Sequence, residues 1–233
     1  MNLIKEHWSE KDIPNFQNYL SSLSKGEEKA KWEQKIVNTS LPCIAVSSKD
    51  VKAIVSQISK GNFIEFIDLW IWENFTNTTI IGNLICKIKD FQVMKKYLTK
   101  YSQRVDSWAS TDTIKFKVKQ PKEYISFAKE LCKSKYIFSR RLGIILLLKY
   151  INDESINEIL WQLNQFENEK EYYVNMALAW LFAECFTKQR QKTLLFLENN
   201  KLNSFVINKG ISKCRDSFRI TKEDKEMLLK YKK

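Results

Sequence analysis

Trp108 and Asp112 stand four residues apart in the stretch Val105-Asp106-Ser107-Trp108-Ala109-Ser110-Thr111-Asp112. On a helix that spacing puts both on one face. An aromatic plane beside a carboxylate suits a flat, electron-poor or cationic group. The carboxylate could stabilise an oxocarbenium-like sugar or orient a water, as carboxylates do in glycosidic hydrolysis. The plain alternative makes Trp108 a core residue and Asp112 a helix cap. Further on, Arg140 and Arg141 open an apolar run, Leu142 to Leu148. Arginines at the start of a buried helix oppose its dipole. A phosphate or a buried carboxylate would compensate them, Asp112 being one candidate and an internal salt bridge the alternative. In Glu171 to Phe182, the small residues Ala177 and Ala179 allow close helix packing beside Trp180, whose plainest reading is core. Lys209 and Lys213 are four apart with Arg215 nearby, either a phosphate-facing edge or a solvated face.

Other chemistries lack their parts. The only histidine, His7, lies in what reads as a ragged N-terminal stretch, so Ser/His/Asp or Cys/His catalysis and His-dependent metal sites are not expected. Neither GxxxxGK[ST] nor GxGxxG occurs. Cys43, Cys86, Cys132, Cys185 and Cys214 are scattered singly, which argues against zinc and fits reduced thiols in a cytoplasmic protein. Met1 to Asp12 shows no apolar segment of the signal-peptide kind, and no apolar run is long enough to span a bilayer. The charge is the clue to a partner. Lys and Arg number 39 against 27 Asp and Glu, a net +12. That excess favours a polyanion, although a generally lysine-covered surface would give the same number.

The elements that must position these residues read as helices from end to end. Phe63, Ile64, Ile67, Trp70 and Ile71 keep a 3/4 spacing, as do Phe91, Met94, Tyr97 and Leu98. Tyr124, Phe127, Ala128 and Leu131 follow, then Ile156, Ile159, Leu160 and Leu163. Breaks fall at Gly61-Asn62, Asn74 to Asn77, Lys119-Gln120-Pro121, Asn152-Asp153 and Asn199-Asn200. Thr111, Pro121, Asp153 and the pair Thr221/Asp224 read as helix starts. The pattern predicts about ten to twelve helices of about 10–18 residues with short connections, a bundle or an α-solenoid in one domain. The apolar segments Leu142–Tyr150 and Met176–Phe186 should be central.

Taken in order, these segments resemble the DNA alkylation repair family of alkylpurine DNA glycosylases (AlkD-like), built from HEAT-like helical pairs. The likeness spreads from about Leu41 to Phe218. Leu41-Pro42-Cys43-Ile44-Ala45-Val46-Ser47-Ser48 resembles the family's loop before a helix. Trp108 with Asp112 resembles its Trp-x-x-x-Asp motif, Arg140-Arg141 its arginine helix, and Tyr172-Tyr173-Val174 through Trp180 its Val-x-Lys-Ala-x-Gly-Trp helix. The resemblance implies an all-α, superhelical solenoid of antiparallel HEAT-like helix pairs with a concave basic face, one domain over residues 1–233. It implies hydrolysis of the N-glycosidic bond of cationic N3- and N7-alkylated purines in double-stranded DNA, by a monomer without cofactor and away from membranes. Trp108, Asp112 and Trp180 would face the lesion and its sugar, with Asp112 stabilising positive charge on the deoxyribose. Arg141, Arg140, Lys209, Lys213 and Arg215 would contact DNA. The chain departs from the family at Ala109-Ser110-Thr111, at Ala179 before Trp180, at Ala183-Glu184 and at Ile207 to Gly210. A non-catalytic nucleic-acid-binding module and a protein-interaction scaffold are the alternatives.

Overall fold

The structure, a computed structural model, describes residues 1–117 and 121–233. Every named element among them is helical, which is the expected all-α class, and Ser24 and Val46 meet in one isolated antiparallel bridge. Among the described residues there are fourteen α-helices rather than ten to twelve. The surplus comes from pieces of five or six residues, too short to display a 3.6-residue period. No helix among the described residues is long and apolar enough to cross a membrane. The chain divides into two compact units, Met1–Lys117 and Val118–Lys233, each with its own core. The expected break at Lys119-Gln120 lies outside the described residues.

The first unit holds α1 (Ile13–Ser22), α2 (Glu27–Val37), α3 (Ser48–Ile58), α4 (Phe63–Asp68), α5 (Phe75–Ile85), α6 (Phe91–Arg104) and α7 (Trp108–Asp112). Helix α5 is its centre and packs against α3, α4, α6 and α7. Its start explains why Asn74 to Asn77 is a first turn and not a break. Asn77 N donates to Asn74 Oδ1 at 3.0 Å and Asn74 N donates to Asn77 Oδ1 at 3.2 Å, a reciprocal cap. At Gly82 an added Cβ would lie 2.6 Å from the Tyr101 hydroxyl, so a glycine lets α6 close onto α5. The period seen through Ile71 stops at Asp68 as a helix, because Trp70 takes a φ of 44°, which no right-handed helix continues. The N-terminal stretch is not ragged. Leu3 and Trp8 are buried, Trp8 meets Phe16 and Phe66 edge-on, and Asn62 N donates to Lys5 O at 2.8 Å.

The second unit holds α8 (Pro121–Cys132), α9 (Ile137–Leu147), α10 (Ile156–Asn164), α11 (Tyr172–Lys188), α12 (Arg190–Glu198), α13 (Ser204–Asp216) and α14 (Lys222–Met227). Pro121 is the first residue of α8, as its fixed φ favours. The two apolar segments expected at the centre are α9 and α11. Helix α11 packs against α9, α10, α12 and α13. An added Cβ on Gly210 would lie 2.3 Å from Phe182 Cδ1 and 3.3 Å from Ala179 O, so small residues on both helices bring α13 onto α11. Thr221 caps α14 by accepting from Asp224 N at 3.2 Å, while the Asp224 carboxylate is held by Arg190. The turn before α10 is made by Asn152, one residue ahead of the expected Asp153. Its Oδ1 accepts from Glu154 N at 3.1 Å and Ser155 N at 3.0 Å.

Candidate functional site

In the first unit the candidate residues Trp108 and Asp112 lie on α7, five residues long. A helix of that length does not hold itself, so its neighbours must fix it. The last turn of α2 leaves backbone carbonyls without helical partners. Ser107 Oγ donates to Val37 O at 2.6 Å, and the Trp108 indole Nε1 donates to Ile36 O at 3.2 Å. Asp106 accepts from the Thr39 hydroxyl, from Ser40 N and from the Ser40 hydroxyl, all at 2.6 Å. Burial of Asp106 works to raise its pKa, but the hydrogen bonds from Ser40 and Thr39 outweigh it and hold the carboxylate below its ordinary value. On the inner side, the fully buried Tyr101 donates to Thr78 O at 3.1 Å and to Ser110 O at 3.3 Å.

Trp108 and Asp112 thus occupy one short helix, both half-buried. Trp108 is neither a core residue nor free of structural duty, since its indole N–H closes the end of α2. Asp112 is not the cap. Ser107 fills that place, accepting from Ala109 N at 3.2 Å, and Asp112 ends the helix with Oδ1 accepting from the Thr111 hydroxyl at 3.2 Å. Thr111, expected as a helix start, lies in the last turn, fully buried, with its hydroxyl on Trp108 O. Ser110 is buried as well, its hydroxyl 3.3 Å from that of Thr78. Ala109 lines a cavity of about 600 Å³ between α3, α5 and α7, with Val51, Val55 and Phe75 among its walls.

In the second unit the consecutive arginines of α9 both grip the beginning of α11. They are its fourth and fifth residues, past the N–H groups that face the dipole. Arg140 Nε donates to Glu169 Oε2 at 2.7 Å and its NH2 to Glu169 Oε1 at 3.1 Å, a two-pronged pair with little exposure. Of the two compensations open to it, Arg140 therefore has the buried carboxylate. Arg141 is buried and donates to Tyr173 O at 2.5 Å. Glu169 O accepts from the side-chain amides of Asn175 and Asn203, and Asn203 caps α13 through Val206 N at 2.9 Å. Arg140, Glu169, Asn175 and Asn203 thereby tie α9, α11 and α13 into one knot. No spacing in the sequence announces Glu169 or Asn203.

Trp180 lies on the outer side of α11 and is 38% exposed, so it is not a core tryptophan. With Lys213, Arg219 and the carboxylates of Glu184 and Asp216 it walls a depression of about 300 Å³, in which Arg219 is paired with Glu184. Lys209 is exposed on the same helix as Lys213, and Arg215 reaches Glu226 loosely at 3.9 Å. Among the described residues no group of three or more His, Cys, Asp or Glu side chains is placed to hold a metal ion.

Trp108 and Asp112 thus share a short helix in the first unit, and Trp180 in the second borders a depression lined by both cations and carboxylates. The family model described as DNA alkylation repair enzyme matches residues 16–214, and the chain belongs to that family. Its role lies in DNA alkylation repair. A comparison with curated proteins finds no significant match.

Proposed function

We propose that the protein is a DNA glycosylase that hydrolyses the N-glycosidic bond of cationic N3- and N7-alkylated purines in duplex DNA. The observation that carries the reading is Asp112, a half-exposed carboxylate four residues from Trp108 on a helix whose start is pinned to the end of α2, in a chain of the DNA alkylation repair family. A purine already positive at N3 or N7 is a good leaving group. The bond from C1′ to the base nitrogen breaks with its electron pair going to the base, which departs neutral. The positive charge then sits on the sugar, where a fixed carboxylate counts most. Asp112 supplies the opposing negative charge and orients the water that adds to C1′ and gives up a proton to solvent. Trp108 flanks the cationic base or sugar, and Trp180 serves as a second lesion-facing aromatic. Lys209, Lys213 and Arg215 contact phosphates. Arg141, buried with its guanidinium on Tyr173 O, and Arg140, paired with Glu169, act behind the surface by holding α9 to the start of α11. The reading takes the chain as a monomeric HEAT-like solenoid with a basic concave face, and no cofactor.

Ser110 and Thr111, two of the three residues that depart from the family's motif, are buried and bond to α5 and to their own helix, which supports the catalytic reading over a non-catalytic one. The test is release of free 7-methylguanine or 3-methyladenine from methylated DNA by the purified protein. Asp112→Asn is expected to slow release by about 10²–10³-fold while leaving DNA affinity unchanged. No release above background by the wild type would sink the proposal.

A further inference from the structure

A second cleft in the second unit, of about 450 Å³, runs from Cys132 at the end of α8 along α10 to Glu169. Cys132 and Phe166 are buried and give it an apolar lining. Gln162 lines it as well. It is only 2% exposed, and its Oε1 is buried without a hydrogen-bond partner. An amide oxygen buried in that state is costly, so a polar side chain here calls for a group that bonds to it. The neighbouring charges do not supply one. Arg140 and Glu169, also on the walls, satisfy each other in their two-pronged pair. Of the charged walls only the exposed Lys133 then lacks an ion pair among the described residues, so the cleft suits a polar ring more than an ion. Beside Gln162 stands Trp161, 52% exposed. The Lys129 ammonium, held by Glu158 at 2.7 Å, lies 5.1 Å from the centre of its ring and covers one face, which leaves the other to the cleft that Trp161 walls. A primary amide offers an acceptor and a donor side by side. A nucleobase offers the complementary pair on one edge and a flat face that stacks on an indole. Adenine matches twice, through its N6 amino group with N7 and through the same group with N1.

We propose that this cleft is a binding site for a single nucleobase, adenine above the others, with Gln162 bonding to the edge of the base and Trp161 stacking on its face. The site stands apart from the glycosylase reading and does not depend on it. Calorimetric titration of the full chain with adenosine and with a short oligo(dA) strand tests it. Saturable binding of adenosine is expected. A strand that binds more tightly, with an affinity that falls as salt rises, identifies single-stranded nucleic acid as the source of the base, and equal affinities identify a free nucleoside. Gln162→Leu removes the amide at similar volume. It is expected to melt in urea no earlier than wild type and to bind adenosine about tenfold more weakly. Purine riboside, which lacks the N6 amino group, should bind wild type more weakly than adenosine does but bind Gln162→Leu equally well. Trp161→Ala, at an exposed position, should weaken adenosine binding by about tenfold, as alanine at base-stacking aromatics does. Binding of neither ligand to the wild type at millimolar concentration, or binding that survives either substitution unchanged, overturns the site and leaves a bound water as the partner of Gln162.

Discussion

Replacing Asp106 by alanine should loosen the helix that carries Asp112 without touching Asp112 itself. The substitution removes the acceptor of three hydrogen bonds, from the Thr39 hydroxyl and from the amide and hydroxyl of Ser40. Hydrogen bonds to a charged group contribute about 1.5–3 kcal/mol each. Ser40 is exposed and the carboxylate only partly buried, so water recovers much of that, and a loss of about 2–3 kcal/mol is expected. Asp106→Asn should lose less, because one oxygen can still accept both bonds from Ser40. The folded carboxylate titrates below its unfolded value. Its contribution is therefore full above the unfolded value of about 3.9 and disappears as pH falls through the lower, folded value. Urea melts at pH 7 should show wild type above Asp106→Asn above Asp106→Ala, with the gap closing in strong acid. Base release should fall more than DNA affinity does, by about 10²-fold for a displacement of about 1 Å at the reacting group. An Asp106→Ala protein that melts with the wild type at pH 7 and releases base at the wild-type rate would refute the reasoning.

Two further substitutions probe the second unit. Gly210→Ala puts a Cβ 2.3 Å from the Phe182 ring and 3.3 Å from Ala179 O, and overpacking of this kind should destabilise by about 1–3 kcal/mol in denaturant melts. Arg140→Met leaves Glu169 charged and largely buried, at a cost of about 3 kcal/mol, and the double variant Arg140→Met/Glu169→Gln should recover part of the loss in a double-mutant cycle.

The legible parts of the fold were those with long apolar periods. Helices α9 and α11 stand out because nearly every residue from Leu142 to Leu147 and from Ala177 to Phe186 is buried, apart from Trp180 and Glu184. Helix α7 showed only as a Trp-x-x-x-Asp spacing, since five residues give no period. Asparagines misled in both directions. Asn74 to Asn77 looked like a break and is a cap, and Asn152 makes the turn assigned to Asp153. Both follow from one chemistry, a short side-chain oxygen that satisfies local amides in turns and helix starts alike. The partners of the site residues were illegible because they are distant in sequence. Arg140 meets a carboxylate 29 residues away, and the Trp108 indole meets a carbonyl 72 residues away. Residue type predicts that such groups need partners but not which ones.

Contacts distant in sequence also give a five-residue helix a fixed place. Its isolated stability is negligible, so position comes from what the helix closes. Ser107 and Trp108 complete the unfinished carbonyls of α2, Asp106 gathers the loop that follows, and Ser110 and Thr111 sit in the core beneath Tyr101 and Thr78. Every residue from Asp106 to Thr111 except Ala109 has a side chain committed to holding α7. Asp112 comes at the end of that series, half-exposed. A substitution inside the series that keeps its buried hydroxyls or its volume preserves where the carboxylate points. The departures at Ser110 and Thr111 therefore read as an alternative way of seating the helix that carries Asp112.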